Sequence, residues 1–255
     1  GLLTTTGALS AIVSRVARLF SGGGPGEILD NLRYLSTGKA KFVFREKGPL
    51  WLVAISKRGE TAQHLGEVLE LVHRQVLLIL TNRIETTLHN RPSYDLRPLL
   101  TGTHTILTNL CSWASASLGP TQHCTEALYL APQVRRAFLD GLRTGGQRIP
   151  NLLLGLVVAG HRVVALACSR RYTPDARDTT VLVNLLASSS SLKAAETWMP
   201  VCLPGLNPGA FGYAYVSYHG VLGVVYVSLV SEATQFSAIS AYVSEMRADL
   251  AATGA

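Results

Sequence analysis

An α+β fold of two antiparallel sheets, each packed with helices, is what this sequence predicts. Three observations carry the prediction. The chain has 255 residues and 47% hydrophobic residues, which suits two domains with sizeable cores. Apolar runs of strand length come in pairs, as at Leu152–Ala159 and Arg162–Ser169 around Gly160-His161. The pattern of elements restarts after Gly145-Gly146.

The elements follow in order. Leu9, Ile12, Val13, Val16 and Phe20 fall on one stripe of a helix predicted over 4–20. The string Gly22 to Gly26 breaks regular structure. Strands are predicted near 32–35, 41–45 and 50–56. In KFVFR, Phe42 and Phe44 alternate with polar or smaller neighbours, giving one buried face. LWLVAI is apolar on both faces and reads as a central strand. Leu65, Leu69, Val72, Val76 and Leu80 make the stripe of a helix over 61–81, and a further helix is predicted over 96–116. Gly119-Pro120 punctuates the chain, and a connecting helix over 131–143 leads to Gly145-Gly146. After the hairpin at Gly160-His161, Thr173 is placed to cap a helix with Pro174 in its first turn. Strands near 198–203, 211–218 and 222–230 and a helix over 233–250 complete the second unit. The boundary is drawn at 128/129, giving domains 1–128 and 129–255.

Composition limits the function classes. The net charge of +7 favours acidic partners, yet charged residues are only 15%, low for a freely exposed surface. Cys111, Cys124, Cys168 and Cys202 form no C-x-x-C pair and read as reduced thiols. The apolar stretch 152–168 is interrupted by Gly160, His161 and Arg162, and a central Arg costs about 2.5–3.5 kcal/mol on insertion scales, so it reads as a hairpin and not a membrane span.

No catalytic constellation emerges. Ser36-Thr37-Gly38-Lys39 resembles the tail of a phosphate loop, but Arg33 stands where the earlier glycine is required. The seven histidines make no H-E-x-x-H pair, and no G-x-S-x-G occurs. No metal, cofactor or catalytic residue is therefore expected. The basic residues are dyads without interleaved aromatics, which argues against nucleic-acid binding. Arg162, Arg170 and Arg171 are expected to cluster at one end of a hairpin, where they suit anionic lipid headgroups.

The segment from Thr180 to Tyr218 is the most distinctive: an apolar helix, the serines Ser188 to Ser191, then TWMPVCLPG and GAFGYAYVSY. Pro200 and Pro204 place its first strand at a sheet edge. Trp198 either anchors a partner there or covers its own domain's core. With GPLWLVAISKRG at Gly48 to Gly59 and YDLRPLLTG at Tyr94 to Gly102, this order closely resembles the Mon family, the vacuolar-fusion subunit of the Mon–Ccz complex. The resemblance runs over nearly the whole chain and implies two longin-like domains.

It also implies a function. The Mon–Ccz complex is an exchange factor for the late-endosomal and vacuolar Rab GTPase, so this chain is expected to be a subunit without bond-making chemistry. It would act in the cytosol and peripherally on late endosomes, multivesicular bodies and vacuoles, in endosome maturation and in fusion with vacuole and autophagosome. The first domain would supply half of the Rab platform through Ser10, Ser14, Arg15 and Arg18, and meet Ccz near Leu32 and Tyr34. The second domain would serve recruitment, through an early-endosomal Rab or phosphoinositide membrane at Trp198, Arg162, Arg170 and Arg171. The alternative is a longin-type adaptor or tether that binds Rabs, SNAREs or lipid without exchange. Against the family pattern, the opening hairpin, a third longin-like domain beyond Ala255 and part of the loop at His219-Gly220-Val221 are expected to be missing.

Overall fold

In the computed structural model, the described residues are 7–9, 11, 12, 15, 32–91, 94–170 and 172–252. Residues 7–9, 11, 12 and 15 of the predicted first helix are helical, while the rest of it and the glycine string Gly22 to Gly26 lie outside the described residues. The chain divides into two compact units, Gly1–Leu69 and Glu70–Ala255. The division falls inside helix α1 (Ala62–Leu80), well before the sequence boundary at 128/129.

The smaller unit is built on three antiparallel strands, β1 (Tyr34–Ser36), β2 (Lys41–Lys47) and β3 (Leu50–Ser56), in that order. Lys47 pairs with Leu50 across a two-residue turn. Leu65 and Leu69 of α1 pack on Val43, bordered by Leu52, Ala54 and Ala62. The predicted alternation in KFVFR is therefore corrected, because Val43 faces the helix and Phe44 is buried on the opposite side. β2, covered on both sides and flanked by both neighbours, is the central strand. The expectation that β3 is central is overturned: among the described residues it is an edge strand, with Trp51 and Ile55 38% and 49% exposed. Leu52 and Ala54 face α1 while Trp51 and Ile55 stay exposed, so an apolar run need not mean a central position.

The larger unit holds a five-stranded antiparallel sheet in the order β5-β4-β8-β7-β6, made from β4 (Leu152–Ala159), β5 (Arg162–Cys168), β6 (Thr197–Val201), β7 (Gly212–His219) and β8 (Leu222–Ser228). Two-residue turns join β4 to β5 and β7 to β8, each opening on a glycine in the left-handed region, Gly160 at φ 59° and Gly220 at φ 57°. On one face, Leu154, Leu156, Val225, Val227, Ala214 and Val216 pack against the second half of α1, α3 (His104–Ala116) and α5 (Ala176–Ser188). On the other face, Val157, Tyr215, Val224 and Tyr226 pack against α4 (Pro132–Arg148) and α7 (Ala233–Ala252). Helix layers thus cover the sheet twice.

Several boundaries differ from the sequence reading. The helix predicted over 96–116 begins only at His104, because Arg97 to Gly102 forms turns around Pro98 and Gly102 has φ 84°. A short helix the sequence did not announce, α2 (Arg83–Asn90), buries Ile84 and Leu88. The cap of α5 is Asp175, not Thr173; its carboxylate accepts from the N–H groups of Arg177 and Asp178. α6 (Ser191–Ala194) begins inside the serine run. α4 continues through Gly145-Gly146, where the sequence reading placed a break.

The two glycines do different things. A Cβ at Gly145 would stand 2.5 Å from the Tyr226 hydroxyl and 2.6 Å from the Tyr242 ring, so only glycine lets α4 approach β8 and α7. A Cβ at Gly146 would meet nothing within 4 Å. Gly146→Ala is expected to raise stability by up to about 1 kcal/mol through helix propensity. Gly145→Ala should instead cost roughly 1–3 kcal/mol through overpacking. Thermal unfolding of both variants checks the contrast, and equal shifts would refute the packing argument.

Candidate functional site

The segment singled out by sequence, Trp198 to Pro208, is tied down by the structure. The Cys202 N–H donates to Leu78 O at 2.8 Å, and the Asn82 N–H donates to Pro208 O at 2.8 Å. The loop therefore takes up the end of α1, where Thr81 adopts φ 61°. Burial pushes the Cys202 thiol up to about 11, with the Asp178 charge adding to the effect, so this thiol is inert.

A buried ionic clasp holds the same loop. Arg74 on α1 donates to Asp178 Oδ1 at 2.6 Å and lies 3.2 Å from Asp175 Oδ1. Asp178, 1% exposed, also accepts from the Gly205 N–H at 2.7 Å. Burial raises the Asp178 carboxyl above its ordinary range, while Gly205 and Arg74 pull it down. Next to this clasp, the Asn184 amide donates to Gln75 Oε1 at 2.9 Å and to Ile106 O at 3.0 Å, joining α5 to α1 and α3. Sequence reasoning missed this cluster. Its visible signal was Asp175 and Asp178 at the start of an apolar helix, but the partners on α1, Arg74 and Gln75, lie more than a hundred positions from Asp178 and Asn184.

Trp198 lies half-buried on β6. Its ring stacks beside Tyr213 at 6.0 Å and meets the Phe236 edge at 6.3 Å, so it covers its own domain's core. β6 is an edge strand, as Pro200 requires, and Pro200 is exposed.

The arginines do not gather as the sequence reading expected. Arg162 opens β5 at the hairpin turn, 3.7 Å from the Glu126 carboxylate, whereas Arg170 follows the other end of the strand. Eight residues of extended chain separate them by roughly 26 Å. Arg171 lies outside the described residues, as do Ser10, Ser14 and Arg18. Arg15 is helical and exposed. Tyr34, 56% exposed, sits on edge strand β1, with Leu32 just before it. Trp51 and Ile55 on the opposite edge, and Tyr129 at 98% exposure, are further apolar surface that the sequence reading did not select.

No group of three His, Cys, Asp or Glu among the described residues could hold a metal ion. No described helix is long and apolar enough to cross a membrane. Among the described residues, β1, β3 and part of β5 are sheet edges without an outer neighbour.

Antiparallel sheets packed with helices fit longin domains. Two family models match, described as the first longin domain of FUZ, MON1 and HPS1 over residues 3–110 and the second over residues 150–247. The vacuolar fusion protein MON1 of Cryptococcus neoformans is 34% identical over 208 residues, 80% of this chain and 33% of that protein. The MON1 homologues of Oryza sativa and Arabidopsis thaliana are 32% and 31% identical over 74% and 82% of this chain. The chain belongs to the MON1 family, with the two longin domains that FUZ, MON1 and HPS1 share. It spans 33% of the length of those relatives.

Two predictions follow from the buried polar groups. Arg74→Met alone should destabilise by about 3–5 kcal/mol, because it strands a buried carboxylate, and adding Asp178→Leu should recover most of that loss. Denaturant midpoints test this, and a double variant no better than the single would refute it. His161 rests on Trp113 with ring centroids 4.4 Å apart, and burial lowers its pKa below the ordinary value. A lowered base leaves stability intact above its unfolded pKa of about 6.5 and removes it as pH falls from there towards the folded value. Wild type should therefore lose more thermal stability than His161→Phe between about pH 7 and pH 5.5, and parallel curves would contradict the assignment.

Proposed function

We propose that this chain is the longin part of a MON1-type subunit of a guanine-nucleotide exchange factor, acting with Ccz on the late-endosomal and vacuolar Rab GTPase in vacuolar fusion. The carrying observation is the family match across both longin domains. The surfaces support it, because among the described residues β1, β3 and the second half of β5 present sheet edges on which another chain could add. Exchange needs no bond-making side chain. The complex must bind the nucleotide-free GTPase more tightly than the loaded one, and that difference is a reciprocal coupling. A thousandfold faster release corresponds to roughly 4 kcal/mol of barrier lowering, within reach of prising open a switch loop.

In this reading, residues 1–128 supply the exchange platform through Ser10, Ser14, Arg15 and Arg18. Leu32 and Tyr34 on the exposed β1 edge meet Ccz. Residues 129–255 serve recruitment to late-endosomal and vacuolar membranes, where an early-endosomal Rab or a phosphoinositide membrane engages Arg162, the Arg170-Arg171 pair and the uncovered rim of Trp198 at separate points and not through one headgroup. The molecule works from the cytosol as a peripheral membrane protein.

Release of a fluorescent nucleotide from the late-endosomal Rab, measured with the Ccz complex, tests the reading. Arg15→Glu should slow release about tenfold with the heterodimer intact, and Tyr34→Asp should weaken the heterodimer itself. No acceleration by the wild-type complex would leave the chain a tether or adaptor.

A further inference from the structure

The larger unit carries a groove of about 340 Å³ between the end of α4 and the strands β4 and β5. Its floor is apolar, from Leu142, Gly155 and Ala167. Its polar lining includes Arg143, Arg170, Gln147 and Ser169, and no carboxylate lines it. The buried Ser169 hydroxyl has no hydrogen-bond partner among the described residues.

Beside the groove runs a half-open strand edge. β5 is the outermost strand of its sheet. Its first half is occupied: the Val163 N–H donates to Glu126 O at 2.8 Å, the Leu128 N–H donates to Val163 O at 2.9 Å, and Arg135 donates to Val164 O at 2.6 Å. Among the described residues, nothing pairs with the outer edge from Ala165 to Cys168, and Cys168 is exposed. A strand edge beside an apolar groove is the geometry that accepts an extended chain, with ladder bonds giving affinity and alternate side chains entering the groove.

Charge selects the chain. Arg143 and Arg170 are exposed at the groove, and the Asp140 carboxylate is 3.9 Å from Arg143 with both side chains well exposed, so that pair is weak. The C-terminus of α4 points a field of about half a negative charge towards this region, against two full cations. The balance favours acidic groups.

We propose that the free half of β5 and the adjoining groove bind an extended acidic peptide of a partner protein. The partner strand would add to Ala165–Cys168, place an aliphatic side chain over Leu142 and Ala167, and set carboxylates at Arg143 and Arg170. The inference deepens the recruitment reading of Arg170 and shares only that residue with it. Nucleotide exchange plays no part in its test.

The probe is a fluorescein-labelled ten-residue peptide with a Val-Leu-Val centre and two glutamates at each end, titrated against the full chain by anisotropy. Three controls accompany it: the same peptide with lysine ends, and two forms N-methylated at adjacent central residues. The acidic peptide should bind, the lysine peptide should not, and only one of the two N-methyl forms should lose binding. Arg143→Glu with Arg170→Glu should weaken binding about tenfold or more while leaving thermal stability unchanged. Gly146→Leu, directed into the open space above the groove, should weaken it without a charge change. Equal binding of the lysine peptide, or insensitivity to the arginine changes, would overturn the proposal. Retention by both N-methyl forms would overturn the strand addition. Arg170-dependent binding to phosphatidylserine vesicles with no binding of the acidic peptide would overturn it in favour of a lipid surface.

Discussion

A sheet that is apolar on both faces must be covered twice, and this constraint organises the larger unit. Every residue of β4 from Leu152 to Val158 is buried, and β8 is buried from Gly223 to Ser228. Their residues alternate between two clusters, one under α3 and α5, the other under α4 and α7. Neither layer alone would suffice. Burial of apolar area is worth about 25 cal/mol per Å², and a bare face would forfeit that gain across four or five strands. The second half of α1 is drawn into the first layer for the same reason, since Leu71 and Leu78 complete the cluster that Leu182 and Leu186 begin.

Covering a sheet with helices from distant parts of the chain creates a registry problem that apolar contacts solve poorly, because they are not directional. The polar groups between α1 and α5 are. Arg74 meets Asp175 and Asp178, and Gln75 meets Asn184, so two adjacent residues of α1 are matched to two separate turns of α5. A slip of one residue along either helix would strand a charge or an amide, and an unsatisfied buried group costs about 1–3 kcal/mol or more. The Gly205 N–H on Asp178 extends the same registry to the loop after β6. A Cβ at Gly205 would stand 2.7 Å from the Asp175 Cβ, which explains glycine at that position. The distinctive WMPVCLPG stretch is thus mostly an internal fastening.

What the sequence made legible follows from how local each signal is. The hairpins at Gly160 and Gly220 announce themselves within ten residues, and their strands fall within a residue or two of the expected bounds. α1 was equally clear from its stripe. α2 was not, because Ile84 and Leu88 are its only buried residues and two positions make no periodicity. Gly145-Gly146 looked like punctuation, since the need for close approach to Tyr226 and Tyr242 is a tertiary fact. Strand order is likewise non-local, so the apolar LWLVAI run gave no hint that β3 ends its sheet. Among candidate residues, the exposed Tyr34 on an edge strand was within reach of pattern reasoning. The separation of Arg162 from Arg170 follows from the strand between them, yet it runs against the intuition that neighbouring cations act together.

The same economy of edges bears on where such a chain can accept another strand. An antiparallel sheet has two edges, and each is a row of unpaired donors and acceptors that a soluble protein must cover, shorten or use. Here β6 is defended by Pro200, and the first half of β5 by Glu126 to Leu128. The second half of β5 lacks either device among the described residues, and so does β3 with Trp51 and Ile55 beside it. An undefended edge is a row of free donors and acceptors on which an added strand would gain ladder bonds, so among the described residues these two edges differ from the two that are closed.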